Sequence, residues 1–241
     1  MSQNIELTYK VIKCLREEVE YLAREQYKFT SRSLARKIKE SGDIRKINAI
    51  IKKISKEGII KYNKKMKYYY LDVEDKDKLD MYMKELSDTL ILSYDKPLNK
   101  IEPPINVYKI VNGVGKLVAQ AKREGILKSI YHVNGEENYE IIFKTYKFAG
   151  FTIKKMDEII FEAYRIGFMK PIESFYKGEN IIIKRIWGRE IAILNSRKEK
   201  IGCMKGLGIE KATFTCKEPL KKISIPLSIA LYAIKQLDVI I

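Results

Sequence analysis

The chain is short of the residues that most metal enzymes and secreted domains depend on. Histidine occurs once among 241 residues, as His132. A lone imidazole, with no cysteine pair or acidic cluster beside it, makes a poor metal site. It is also the only base that a Ser–His–acid triad could use, and no nucleophile-elbow sequence accompanies it. The three cysteines, Cys14, Cys203 and Cys216, form no CxxC pair. So sparse and odd a set excludes a disulfide framework and points to a reducing cytoplasm. A Cys203–Cys216 bridge stays open, because disulfides persist inside hyperthermophile cells. Glutamine is limited to Gln3, Gln26, Gln120 and Gln236, while Lys, Ile, Glu and Tyr abound. That balance leans towards a thermophilic, archaeal source. No run of 18 apolar residues occurs, so no membrane-spanning helix is expected. The opening "MSQNIELTYK" lacks the apolar stretch of a secretory signal.

Acid is the other shortage. Lys and Arg number 47 against 31 Asp and Glu, a formal charge of +16. A folded protein this basic, with 46% hydrophobic residues for a core, usually meets a polyanion. The excess is uneven. Residues 1–73 hold 18 basic and 9 acidic side chains, 74–100 hold 5 and 7, and 101–241 hold 24 and 15. The slightly acidic middle carries Leu79, Tyr82, Met83, Leu86 and Leu90 as one helical stripe, suited to a connector or a dimer contact. "SYDKPLNKIEPPIN" follows, and its Pro97, Pro103 and Pro104 mark a boundary. The expected division is 1–73, a connector helix with linker over 74–104, and a second domain over 105–241.

The first segment reads as three helices and a hairpin. Val11, Ile12, Leu15, Val19 and Leu22 line helix one. Thr30 or Ser31 caps helix two, which buries Leu34, Ala35 and Ile38. Asp43 caps helix three, which buries Ile44, Ile47, Ile51 and Ile54 and ends at Gly58. "IIKY" and "KYYYLDV" alternate as strands around the turn "NKKM". Opposite its isoleucines, helix three carries Arg45, Asn48, Ala49, Lys52 and Lys56, flanked by Lys46 and Lys53. Arg and Asn can bond guanine and adenine edges bidentately, and lysines suit phosphates.

"FTSRSLARKIKESGDIRKINAIIKKISKEGIIKYNKKMKYYYLDV" resembles the winged helix-turn-helix domain of bacterial and archaeal regulators, over residues 5–73. The resemblance implies that helix three enters a major groove and the hairpin touches the flanking backbone or minor groove. It assigns Arg45, Asn48, Ala49, Lys52 and Lys53 to bases, Lys64, Lys65 and Lys67 to the wing, and Thr30, Ser31 and Arg32 to phosphates, with Arg36, Lys46 and Lys56 beside them. A winged helix serving only protein contacts is the bland alternative.

Residues 105–241 are expected to form an α+β domain. "VYKIVNGVGKLVAQAKREG" and "TIKKMDEIIFEAYRIGF" have apolar residues at helical spacing. "NYEIIFKTY", "NIIIKRIW" and "REIAILNS" read as strands, with Gly188 in a turn. "SIPLSIALYAIKQLDVII" reads as a helix capped by Ser224, apolar almost all round, and buried in its own domain or in a partner subunit. "NGVGKL" is not a phosphate loop: the first glycine would fall at Ile110, and Leu117 replaces the Ser/Thr. Glu136, Glu137, Glu140, Asp157, Glu158 and Glu162 are the carboxylates a metal nuclease would draw on.

The expectation is therefore a cytoplasmic, nucleoid-associated, homodimeric binder of double-stranded DNA, with RNA as second choice, and without membrane, cofactor, metal or catalytic residues. Transcriptional regulation comes first. Replication, partition or chromatin organisation, in a plasmid or virus, comes second. A nucleic-acid-processing enzyme with a metal site in the second domain is the rival of another class.

Overall fold

The computed structural model describes residues 2–20, 26–40, 43–94, 104–124, 130–144, 150–165, 171–186, 190–206 and 211–237. The chain divides into two units, Met1–Asp88 with Ile110–Gly115, and Thr89–Lys109 with Lys116–Ile241.

The first unit runs α1 (Ser2–Glu20), β1 (Gln26–Phe29), α2 (Ser31–Lys37), α3 (Ile44–Lys56), β2 (Lys61–Asn63), β3 (Tyr68–Asp72) and α4 (Lys76–Asp88). Its core is Val11, Ile12 and Leu15 of α1, Leu34 and Ala35 of α2, Ile47, Ile51 and Ile54 of α3, and Leu71. The i, i+3, i+4, i+7 spacing on α1 and α3 delivers these side chains to one side of each helix. The three strands form an antiparallel sheet in the order β1–β3–β2, with Lys28 and Lys61 both opposite Tyr70. The strand β1 is not legible in "QYKF", which is too short for a period to show; it forms because β3 has a free edge to pair. Leu22 lies outside the described residues.

Thr30 sits at the N-cap of α2. Its hydroxyl accepts the Ser33 amide at 3.1 Å, while the Ser33 hydroxyl accepts the Thr30 amide at 2.9 Å. Two orphan amides are thus satisfied reciprocally. Thr30→Ala is expected to cost about 1 kcal/mol in urea unfolding; no change would mean that the cap is redundant. Asp43 occupies the N-cap position of α3 without the expected cap bond, and its carboxylate pairs with Lys46 at 2.6 Å. Gly58 follows α3 at φ 77°, as a C′ residue should.

The acidic-segment stripe is covered inside this unit. Leu79 is fully buried, and Tyr82, Met83 and Leu86 pack against the same core. Arg16 of α1 bonds Asp80 at 3.1 Å, and burial beside Glu57 pushes the Tyr82 phenol up to about 12. Leu90, expected on the same helix, is in a strand of the second unit. Most of the stripe is therefore spent on the core of its own unit.

The second unit corrects the expected fold class. In place of an α+β domain stands a closed antiparallel barrel of twelve strands: β4 (Leu90–Tyr94), β5 (Ile105–Val111), β6 (Val114–Arg123), β7 (Ile130–Gly135), β8 (Tyr139–Lys144), β9 (Gly150–Lys155), β10 (Glu158–Arg165), β11 (Ile172–Tyr176), β12 (Glu179–Ile186), β13 (Glu190–Leu194), β14 (Lys200–Gly206) and β15 (Lys211–Cys216). Each strand pairs with its neighbour in sequence, and β15 returns to β4, with Phe214 opposite Leu90. Closure leaves no sheet edge.

The two expected helices are hairpins. Asn112 and Gly113 stand at φ 52° and 84°, the left-handed pair of a two-residue hairpin turn, and they cut the first segment into β5 and β6. Val111, Val114 and Leu117 then point to solvent, whereas Ile105, Val107, Ala119 and Ala121 face the core. Met156, at φ 55°, turns the second segment from β9 into β10. Ile153, Phe161 and Ala163 go inside, and Met156 and Ile159 go outside. The turn expected at Gly188 lies outside the described residues, as does the linker proline Pro97.

The terminal helix α5 (Ser224–Leu237) fills the barrel. Leu227 to Ala233 are buried on every side of the helix. It touches β14, β15 and β4 on one side of the ring and β8 and β9 on the far side, so it passes through the lumen. The Ser228 hydroxyl donates to the Ile225 carbonyl at 2.7 Å, which satisfies that buried polar side chain. Tyr131, Phe143, Phe151, Phe161 and Tyr176 contact one another in series along the inner wall, stacked at Phe151–Phe161 and edge-on or tilted elsewhere.

The outer wall carries ion pairs such as Lys144–Glu162 and Lys200–Glu190. No described helix is long and apolar enough to cross a membrane. The open Cys203–Cys216 question also closes. Cys203 lies opposite Thr215 and Cys216 opposite Gly202, so the two thiols project from opposite faces of the wall, and all three cysteines are free.

Candidate anion-binding surface

The site residues foreseen from sequence are all in the first unit, and the structure separates them by what they already hold. Thr30 is occupied by its cap. Ser31 donates its hydroxyl to Asn48 Oδ1 at 2.9 Å, and the Tyr69 hydroxyl approaches the same oxygen at 3.4 Å. Burial, then the neighbouring Tyr62, pushes the Tyr69 phenol up, which keeps it a donor. Asn48, expected to read an adenine edge, links α2 to α3 through its carbonyl, which accepts from Ser31, with the Tyr69 hydroxyl of β3 close by.

The cations fall into two groups. Lys37 pairs with Glu18, and Lys61 with Asp72; each carboxylate raises its lysine, and Lys61 holds the Asp72 carboxyl below the usual range. Lys46 pairs with Asp43, and Lys10 with Glu40 at 2.6 Å. Among the described residues, Arg32, Arg36, Arg45, Lys52, Lys53, Lys56, Lys64, Lys65 and Lys67 are exposed and have no ion-pair partner. Arg45, Lys52 and Lys56, with Lys53 adjoining and Ala49 exposed between them, follow the helical period on α3 away from its buried isoleucines. Arg32 and Arg36 make an i, i+4 pair on α2. Lys64, Lys65 and Lys67 surround the β2–β3 turn, where the Met66 amide donates to Asn63 Oδ1 at 2.9 Å and Lys67 stands at φ 54°. A constrained turn presenting three ammonium groups fits an anion surface better than a flexible tail would, because less freedom is lost on contact.

The sequence reading missed Lys28, which lies on the outward side of the sheet with its ammonium 5.5 Å from the Tyr68 ring centroid. It belongs to β1, the strand that the sequence left hidden.

The carboxylates named for a metal nuclease are dispersed over the barrel. Glu137 bonds Lys155 at 2.7 Å and accepts from Tyr139, Glu162 pairs with Lys144, and Glu140 stands 3.5 Å from His132. No group of three or more His, Cys, Asp or Glu that could hold a metal occurs among the described residues. A groove where α5 enters the barrel is lined by Glu136 and Glu137 as well as Lys221 and Lys222, so it has no single sign.

These findings correct the functional expectation. A DNA-binding transcriptional regulator, with its replication, partition and chromatin variants and the nuclease rival, was expected to pair a winged helix with an α+β effector or catalytic domain. The body of this chain is instead a twelve-stranded barrel sealed by its own helix, an architecture unlike a winged-helix regulator. A scan of protein-family models, a search of curated proteins and a search of solved structures each found no match, so the resemblance over residues 5–73 stands on its residues alone.

Proposed function

We propose that the chain is a non-catalytic binding protein whose first unit docks, by charge and without reading sequence, on a polymer that presents repeated phosphates. The observation that carries this reading is the set of nine exposed cations on α2, α3 and the β2–β3 turn that have no carboxylate partner among the described residues. Lys10, Lys37, Lys46 and Lys61 of the same unit pair with acids instead, and their fields are locally cancelled. A surface left uncancelled on a chain of net charge +16 favours a polyanion over any neutral partner. The barrel serves here as a rigid body. Its lumen is filled, which favours a structural over a ligand-carrying role. The three unbridged thiols are in keeping with a reducing, cytoplasmic setting.

The test is a salt titration of binding to inorganic polyphosphate, with single-stranded RNA, duplex DNA and polyglutamate as parallel probes. Log affinity should fall linearly with log salt for the phosphate polymers, and polyglutamate should bind less well. Lys64→Ala with Lys65→Ala should lower the slope by up to about two. Lys37→Ala, at a paired lysine, should lower it far less. Affinity independent of salt, or equal slopes for the paired and unpaired variants, would overturn the reading.

A further inference from the structure

The barrel carries a second surface that the charge reading does not use. On the outer wall of β9–β12, Met156 is 85% exposed, Phe175 69%, Ile159 54% and Tyr164 45%. The strand register places them together. Ile159 is opposite Lys154, Tyr164 opposite Glu173, and Glu173 opposite Ile182, with Phe175 two residues along β11 from Glu173 on the same side. An exposed aromatic buries about 150–250 Å² when covered, and contiguous apolar groups on an outer wall mark a contact surface.

We infer that this face of the barrel joins two copies of the chain in an isologous dimer. Charge selects the occupant. The protein carries +16, so two copies repel over most of their surfaces. Here the signs alternate instead: Lys154 and Lys184 stand with Glu158 and Glu173 around the apolar centre. Under a two-fold axis each residue meets a different residue of the same patch, so a patch with both signs can complement itself. The two dimer contacts expected from sequence are engaged within the chain: the α4 stripe packs on its own core and α5 fills the lumen. The inference is independent of the polyanion reading.

Sedimentation equilibrium of the full chain, up to about 100 µM, tests it. The expected mass is twice 28.2 kDa. Phe175→Asp should weaken association at least tenfold. Its thermal midpoint, read at a concentration too low for association, should not change, since that side chain is exposed in the monomer. Met81→Asp, at an exposed position on α4, is the control and should leave the dimer intact. Salt should tighten the dimer by screening the +16 repulsion, the opposite of its effect on polyanion binding. A mass of 28.2 kDa at every concentration overturns the inference and leaves the face to another partner. A dimer indifferent to Phe175→Asp overturns it equally.

Discussion

Leu231→Ala is expected to destabilise the barrel by about 2–5 kcal/mol, and Leu227→Ala and Ile229→Ala by similar amounts. Leu227 and Leu231 lie one turn apart on one side of α5 and Ile229 on the opposite side, and all three are fully buried. On a surface helix, one face would lose most of that energy and the other almost none. Inside a lumen every face meets a wall, so the costs converge. Leu231→Asp goes further. A lone carboxylate among Leu, Ile and Phe side chains has no partner, and the barrel cannot relax around it without opening its hydrogen-bonded ring. The expected result is a chain that does not form the second unit. Urea unfolding of the alanine series, with circular dichroism of the aspartate variant, decides the matter. A native-like spectrum for Leu231→Asp, or an Ala series in which one position costs nothing, would place α5 outside the barrel.

Gly150→Ala is expected to rank next. A Cβ at Gly150 would lie 2.5 Å from the Ala163 carbonyl oxygen and 2.9 Å from the Tyr164 Cα. Both are backbone atoms of β10, held by their own strand pairing, so the wall must open for a methyl group to fit. That overpacking should cost about 3 kcal/mol. Gly178 supplies the comparison. It has φ 82° and nothing within 4 Å of an added Cβ, so Gly178→Ala meets only the strain of the left-handed conformation. That strain is worth about 1–2 kcal/mol. Urea midpoints of the two variants should therefore differ in a fixed order. A milder effect at Gly150 than at Gly178 would mean that β9 and β10 are not so closely apposed.

The misreading of the barrel has a specific cause. Between Val107 and Ala121 the apolar residues match a helical period. They match it because a two-residue turn, Asn112–Gly113, shifts the phase of two alternating strands. "VNGV" is itself a strong hairpin signal, and it outweighs the period once it is counted. "KMDE" hides better, since Met156 adopts a left-handed conformation that its side chain does not advertise. In the candidate site, the positions of the cations were legible from their spacing against the buried isoleucines. The fate of Asn48 was not, because the donors that reach its carbonyl come from Ser31 and Tyr69, distant in sequence.

By itself the sequence determined what is local. Periodicity assigned the buried faces of α1 and α3, the hydroxyl at Thr30 set the start of α2, Gly58 ended α3, and composition set the positive excess of residues 1–73. Each depends on residues within a turn or two of one another, where steric fit and hydrogen-bond geometry act directly. Only the tertiary structure decided that Phe214 pairs with Leu90 to close the ring, that α5 occupies the lumen rather than a partner's surface, and which cations are left without a carboxylate. Strand pairing is carried by backbone groups that every residue has, so the sequence does not name the partner; burial and pairing settle that choice across the whole chain.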